Sequence, residues 1–334
     1  MPEGPTLAEL GEEGLLKRLA VHAPPDQWSD DAALLPELQG QRWVISSDAL
    51  VQGVHFSEAT TPAWSTGWRA AAANLSDLAA MGCRSCAGIT VALAAPGRTS
   101  ALWLEQVYSG MNQLLQNHGG TLLGGDCSRA DQVMLAITAI GPVDPARQVR
   151  RGDGRPGDAL VVTGTHGLSG LGLQWLLGNA LSTSELSEAT IQQAIRAHQQ
   201  PQPRFDAIEA LHASQPPRMP WRVGGTDSSD GLRRSLELIS QASGCRAELD
   251  PAALPQPTSR GDDAVIKALC LDGGEDFELV LALDQTWADA LVQALPGATI
   301  IGQLVDHSGP PCWSDTKNPL PDGRGFEHFN QKID

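Results

Sequence analysis

The sequence predicts an α/β chain divided into two domains, and three observations carry that reading. At 334 residues the chain is long for one hydrophobic core. Short β-branched runs such as Ile89-Thr90-Val91-Ala92-Leu93 alternate with stretches of helical periodicity. A segment rich in Pro, Gly and Arg, Asp144 to Asp158, separates two such series. The domains are therefore expected at 1–147 and 148–334.

The amphipathic elements follow in order. Glu9 to Leu19 reads as a helix, weakened by Gly11 and Gly14. A Pro-rich loop ends in Ser29-Asp30-Asp31, where paired carboxylates ahead of an apolar run fit a helix cap or a cation site. Trp43-Val44-Ile45 reads as a short buried strand that delivers Ser46, Ser47 and Asp48 at its end. Pro62 to Met81 is the next helix, with Gly82 at the stop position. Its Asn74 and Asp77 sit among alanines, with no Lys or Glu nearby. A solvated face normally carries long charged side chains, so this background suggests close packing, with Asp77 facing a site.

Ile89 to Leu93 is a strand. Ser100 to Leu115 is a helix whose spacing alone makes Tyr108 a core residue. Thr121-Leu122-Leu123 then runs into Gly124-Gly125-Asp126, where bare backbone lets a ligand approach. Val133 to Ile140 closes the first half as a strand.

The second half opens with the strand Ala159 to Thr163, a turn around His166 and a helix through Trp175. Helical segments follow near Ile191 and over Phe205 to Leu211. Val223 to Leu232 carries Asp227, Ser228, Ser229 and Asp230 into a helix from Arg233 to Ala242. Leu271 to Leu279 feeds the strand Val280 to Leu283, and Ile300-Ile301 is a last strand before a Pro/Gly-rich tail. Gly152-Asp153-Gly154-Arg155-Pro156-Gly157 matches G-x-G-x-x-G in form only, since no strand leads in and Pro-Gly makes a turn where a helix should begin.

Composition excludes several classes. With 41% hydrophobic and 19% charged residues the chain is that of a soluble globular protein. A net charge of −16 argues against nucleic acid and anionic membrane surfaces as partners, since both require a basic face. Met1 to Ala20 carries four glutamates and no continuous apolar core, so it is not read as a signal peptide. No run is long enough to span a membrane. Six scattered cysteines fit a reducing compartment, hence a cytoplasmic location. Cys83-x-x-Cys86 lacks the second pair of a zinc site and reads as two small residues at a helix-to-strand junction.

Asp30, Asp48, Asp77, Asp126 and the Asp227/Asp230 pair each stand beside Gly, Ser or a second Asp in separate segments or on a small-residue helix. One such spot is a cap; the repetition suggests a shared cluster for a hard cation such as Mg2+. No Gly-Lys-Ser/Thr, His-Arg-Asp or Asp-Phe-Gly occurs, so neither common kinase class applies.

Five blocks, in this order, resemble the thiamine-monophosphate kinase family. They are Ser47-Asp48-Ala49-Leu50-Val51-Gln52-Gly53-Val54-His55-Phe56; Asn74-Leu75-Ser76-Asp77-Leu78-Ala79-Ala80-Met81-Gly82; Gly124-Gly125-Asp126; Ser228-Ser229-Asp230-Gly231-Leu232; and Gly273-Gly274-Glu275-Asp276-Phe277-Glu278-Leu279. The resemblance implies an aminoimidazole-ribotide-synthetase-like protein of α+β type, each domain a mixed sheet packed with helices. The first domain would carry metal and nucleotide sites and a homodimer interface. It implies ATP-dependent phosphorylation of thiamine phosphate to thiamine diphosphate, with several Mg2+ ions.

Carried over residue by residue, Asp30, Ser46, Ser47, Asp48, Asp77, Asp126, Asp227 and Asp230 would ligate metal, with Asp230 at the reacting centre. Tyr108, Gly125, Asp126, Arg151 and Ser229 would touch the nucleotide, and His55, Glu275 and Phe326 the thiamine phosphate. Ser29, Cys127-Ser128 and Phe326 depart from the usual family pattern without removing a metal ligand. Two alternatives stay open: another ATP-dependent enzyme of the same superfamily, or a non-catalytic nucleotide- or metal-binding regulator. A selenophosphate synthetase would need a reactive N-terminal Cys, and the first cysteine here is Cys83.

Overall fold

The computed structural model describes residues 5–22, 38–179, 186–258 and 263–323. Asp30 and Phe326 lie outside these residues. The chain forms two compact units, the change from the first to the second falling between Pro145 and Ala146.

The first unit contains α1 (Leu7–Leu19), β1 (Arg42–Val51), α2 (Ala63–Ala80), β2 (Gly88–Ala95), α3 (Ala101–His118), β3 (Leu122–Arg129) and β4 (Met134–Val143). Its four strands lie in the order β1-β4-β2-β3. The pairs β1–β4 and β2–β4 are antiparallel and β2–β3 is parallel, so the sheet is mixed. One face is dry: Ile89, Val91 and Leu93 of β2 and Leu135, Ile137 and Ala139 of β4 are at most 2% exposed.

The alanine background of α2 has a packing cause, because Ala70, Ala71, Ala72, Leu75, Leu78 and Ala79 are all fully buried. Helix α3 is bounded by its own chemistry. The Ser100 side chain accepts from the Trp103 N–H at its start, and Gly119 adopts a left-handed φ of 81° at its end. The two helices meet backbone to backbone. A Cβ on Gly67 would stand 1.7 Å from the Val107 carbonyl oxygen, and one on Gly110 1.9 Å from that of Trp64.

Three sequence expectations are corrected here. The first strand does not end at Ile45: β1 continues through Ser46, Ser47 and Asp48 to Val51, paired with β4 along its whole length. Nor is it buried, since Ile45 is 66% exposed. β1 is an edge strand, and β-branched composition reports strand propensity, not which face is covered. In the same way β3 does not stop at its glycines but runs on to Arg129. Cys83 and Cys86 are buried between α2 and β2, and burial pushes both thiols up to about 12.

The second unit contains β5 (Ala159–Val162), α4 (Leu168–Leu176), α5 (Glu188–Gln199), α6 (Phe205–Ala213), β6 (Gly224–Asp227), α7 (Leu232–Ser243), β7 (Arg246–Leu249), α8 (Asp263–Asp272), β8 (Leu279–Leu283), α9 (Gln285–Ala294), β9 (Thr299–Val305) and β10 (Cys312–Trp313). Six strands form a mixed sheet in the order β10-β7-β9-β5-β8-β6. β5 and β8, near the middle, are buried at every position and read as unbroken apolar runs. Leu232, Leu236 and Ile239 of α7 pack with Val280, Ala282 and Ile301 in its core.

The helix contact in the first unit makes a direct prediction. Gly110→Ala inserts a methyl where a backbone oxygen already stands, so α2 and α3 must separate. Such overpacking costs about 3 kcal/mol. The melting temperature should fall by roughly 5–10 °C in a thermal scan. An unchanged transition would mean that the crossing is not tight.

Candidate active site

In the first unit, three hydroxyl and carboxylate residues stand consecutively on β1, and strand alternation sends them to opposite faces. Ser46 points toward α2, where its Oγ donates to Asp77 Oδ2. One turn earlier on α2, the fully buried Asn74 accepts the Asp48 N–H at its Oδ1 (2.9 Å) and donates from Nδ2 to the Ala70 carbonyl (3.0 Å). Both polar ends of that side chain are satisfied, as burial demands. Asn74 and Asp77 are three residues apart because both look at β1. Ser47 is committed to the other face, donating to the Ile137 carbonyl (2.9 Å) and accepting from Thr138 Oγ1 (3.2 Å). His55 closes the turn after β1: its Nδ1 accepts the Val51 N–H at 3.0 Å, which leaves the proton on Nε2.

Asp126 is not brought to this group. The order β1-β4-β2-β3 puts it on the far edge, three strand spacings or about 14 Å from β1. The register Ala49–Ala136–Ala92–Asp126 sets it on the face opposite Asp48. Ser128 Oγ donates to its Oδ2 at 3.0 Å. Gly125 has a structural reason to be glycine, since a Cβ there would lie 1.9 Å from the Val91 carbonyl oxygen. Tyr108 is 3% exposed on α3, and burial raises its phenol well above the ordinary range.

The second unit builds its group from two loops laid against each other. β6 ends at Asp227, 6% exposed, and Ser228, Ser229 and Asp230 follow before Gly231 (φ 101°) turns into α7. The Gly273–Glu278 loop runs beside them. Glu275 N–H donates to the Ser229 carbonyl (2.6 Å), Phe277 N–H to that of Ser228 (3.1 Å), and Ser228 N–H to that of Glu278 (2.8 Å). The fit is close: a Cβ on Gly274 would stand 2.8 Å from the Ser229 oxygen. Arg151 joins this end of β6 by donating from Nε to Thr226 Oγ1 at 3.1 Å. Asp227, Ser229, Asp230, Glu275 and Arg151 are thus held on neighbouring backbone.

Several residues around this loop were not singled out from sequence. Asp276 accepts from the Gly167 N–H (2.5 Å) and Ser169 N–H (2.9 Å), capping α4, which has no cap of its own. Burial pushes its carboxyl up to about 7 against those two donors. Glu278, raised by burial in the same way, accepts from Arg204 Nη1 and from Thr163 Oγ1 (2.5 Å), while Arg204 also grips Asp206 with two bonds of 2.9 Å. The available signal was a pair of acids, Asp276 and Glu278, flanking Phe277 at the entry to a buried strand.

Among the described residues no group of three or more His, Cys, Asp or Glu side chains is gathered as a closed metal cage. The donors within each unit are nevertheless hard oxygens, paired or single: Ser46 with Asp77, Asp48, Asp126, Asp227 and Asp230. That set fits Mg2+, which takes one or two carboxylates and completes its shell with phosphate oxygens and water. A cleft of about 840 Å³ in the second unit is lined by Arg155, Arg218, Trp221 and Arg222, and none of the sequence-predicted site residues lines it.

Two mixed sheets with acidic and hydroxyl residues at these positions match two family models. AIR synthase related protein, N-terminal domain, covers residues 29–143, and the corresponding C-terminal domain covers residues 155–310. The fold is therefore that of an AIR synthase related protein. The thiamine-monophosphate kinase of Synechococcus elongatus is 49% identical over 326 residues, covering 97% of this chain and 98% of that one. That of Escherichia coli K12 is 35% identical, covering 90% of each. The crystal structure of thiamine-monophosphate kinase from Stenotrophomonas maltophilia superposes with a TM-score of 0.77 at 30% identity, covering 92% of this chain and 98% of that one. The chain belongs to the thiamine-monophosphate kinase family.

His166, on the loop before α4, provides a pH test. It is fully buried, with Nδ1 donating to the Gly164 carbonyl (3.2 Å) and Nε2 without a partner, and burial lowers its pKa to about 4. Below about 6.5 an unfolded chain takes up this proton and the folded one does not. The stability contributed by neutral His166 is thus fully present above that pH and is lost as pH falls toward 4. In denaturant titrations, the stability of the unsubstituted protein relative to His166→Gln should decline across that window. A constant difference would place an ionised or solvated imidazole there.

Proposed function

We propose that this chain transfers the γ-phosphoryl group of ATP to the phosphate of thiamine monophosphate, yielding thiamine diphosphate and ADP. Near full-length identity of 49% to a thiamine-monophosphate kinase carries the reading. The oxygen donors on β1, α2 and the loop after β6 supply chemistry to match. One bond forms, from an oxygen of the acceptor phosphate to the γ-phosphorus, and one breaks, from that phosphorus to the β,γ-bridging oxygen.

The acceptor needs no general base. A phosphomonoester has its second pKa near 6 and is a dianion at neutral pH. The difficulty is charge: ATP brings about four negative charges and the acceptor about two. Asp30, Ser46, Ser47, Asp48, Asp77 and Asp126 of the first unit, and Asp227 and Asp230 of the second, are the residues that would hold Mg2+, which would supply the neutralisation. Asp230 is the aspartate assigned to the reacting centre. Tyr108, Gly125, Asp126, Arg151 and Ser229 are assigned to ATP. For Tyr108, a buried ring, that means shaping the wall behind the nucleotide. His55, Glu275 and Phe326 are assigned to thiamine phosphate, with His55 Nε2–H as a donor to an anion. The protein's contribution is alignment and preorganised charge.

The first domain also serves as the dimer interface in this reading. Ile45 at 66% and Met134 at 37% exposure lie on the sheet face that carries no buried core, beside Ala49, Thr90 and Thr138. A second copy is the occupant, since a mixed sheet with one dry face and one face of small residues around exposed Ile45 and Met134 is suited to stacking on its like. The compartment is the cytoplasm, in keeping with six cysteines that form no disulfide, five of them buried. No described helix is long and apolar enough to cross a membrane.

Production of thiamine diphosphate from ATP and thiamine monophosphate tests the reaction itself; no turnover would overturn it. Asp77→Asn keeps an acceptor for the Ser46 hydroxyl, so its melting temperature in metal-free buffer should stay near that of the parent. Activity should fall on the order of a hundredfold, and the Mg2+ concentration for half-maximal rate should rise. A lowered melting temperature with a normal Mg2+ requirement would make Asp77 structural. For the interface, Ile45→Asp should convert a sedimenting dimer to monomer, and an unchanged sedimentation coefficient would move the contact elsewhere.

A further inference from the structure

The backbone around Glu275 is held in a conformation that L-residues avoid. Glu275 has φ 64° and Phe277 φ 53°, with Asp276 between them. Left-handed residues of this kind cost about 1 kcal/mol or more each and persist where the surroundings over-determine them. Here the surroundings are two helices. Asp276 is tied through both oxygens to the first turn of α4, at Gly167 and Ser169. Helix α4 is in turn pressed against α5, where a Cβ on Gly172 would lie 2.2 Å from the Ala194 oxygen. From the end of α5, His198 reaches back. Its Nδ1 lies 3.2 Å from Ser169 Oγ and 3.9 Å from Glu275 Oε2. Ser169 and His198 are 1% and 2% exposed, whereas the Glu275 side chain is 31% exposed. The polar chain thus runs from a dry interior to one carboxylate at the surface.

We infer that Asp276, Ser169 and His198 are positioning residues that fix the Glu275 carboxylate for thiamine phosphate. The inference rests on the assignment of Glu275 to that substrate. Asp276 sets the backbone, and His198, oriented by Ser169, limits the carboxylate to the rotamer that leaves one side open. A carboxylate held this way meets a cationic or N–H-bearing ring without losing rotamer freedom on binding. Neither helix contributes a group to ATP in this reading, so the effect should be confined to one substrate.

The experiment compares four variants by steady-state kinetics and thermal melting. Glu275→Ala should raise KM for thiamine phosphate by roughly tenfold, with KM for ATP unchanged. His198→Phe keeps the ring volume but removes both nitrogens, and should raise the same KM by several-fold. His198→Asn returns an amide atom near the place of Nδ1 and should recover most of that loss. The double variant His198→Phe/Glu275→Ala should be no worse than Glu275→Ala alone, because two residues acting through one carboxylate do not add. Ser169→Ala, a smaller cut, stands in if His198→Phe does not fold, and should shift the same KM in the same direction.

Equal effects of His198→Phe on both substrates, or additive losses in the double variant, would overturn the positioning role while leaving Glu275 as a contact. An unchanged KM in Glu275→Ala would remove the assignment of Glu275 itself, and the positioning role with it.

Discussion

The Asn74 side chain is the small contact on which the first unit's site depends. By accepting from the Asp48 N–H and donating to the Ala70 carbonyl, it fastens an edge strand to a helix at one point. An edge strand has partners on one side only, and β1 carries three consecutive polar residues that offer little apolar area to hold it down. The clamp sets how Ser46 meets Asp77 and where Asp48 emerges. A buried amide satisfied at both ends is also demanding of geometry, because losing either partner leaves a desolvated group. The glycine crossing of α2 and α3 supports it from behind by keeping the helix in place.

The second unit solves the same problem with backbone instead of a side chain. Three backbone hydrogen bonds join the Ser228–Asp230 segment to the Gly273–Glu278 loop, extending the β6–β8 pairing past the ends of both strands. Such pairing fixes spacing but not side-chain direction. Direction comes from the left-handed residues at 275 and 277 and from the Asp276 cap on α4.

Ion pairs in the second unit act as fasteners between loops and strands. Arg204 links Asp206 to Glu278 and the Thr163 carbonyl. Arg222 is bidentate to Asp158, and Arg233 to Asp272. Half-buried pairs of this sort add little net stability over apolar packing, since desolvation offsets most of the attraction. Their value is specificity: each removes one partner's freedom to sit anywhere else.

Much of the fold was legible because local physics carried it. Helix α3 has apolar spacing, a serine cap and a glycine stop, and β5 and β8 are unbroken apolar runs; each is read correctly without neighbours. β7 was not read from the sequence, because Arg246 and Glu248 interrupt its short apolar pattern. In the folded unit Glu248 is 4% exposed and accepts from Arg246 Nη2 (2.8 Å) and Lys317 Nζ (2.6 Å), a partner 69 residues away. Helices α8 and α9 also went unread. The blocks around Asp48, Asp77, Asp126, Asp230 and Glu275 stood out in sequence because small and acidic residues crowd there without a solvated-face pattern. By itself the sequence determined the family the chain belongs to, since residue type and spacing are local properties. Only the tertiary structure decided that Ser46 faces Asp77, that Ser47 turns away, and that Asp126 sits on the opposite edge and face. Those relations depend on strand order and register, which hydrogen bonds between distant segments set.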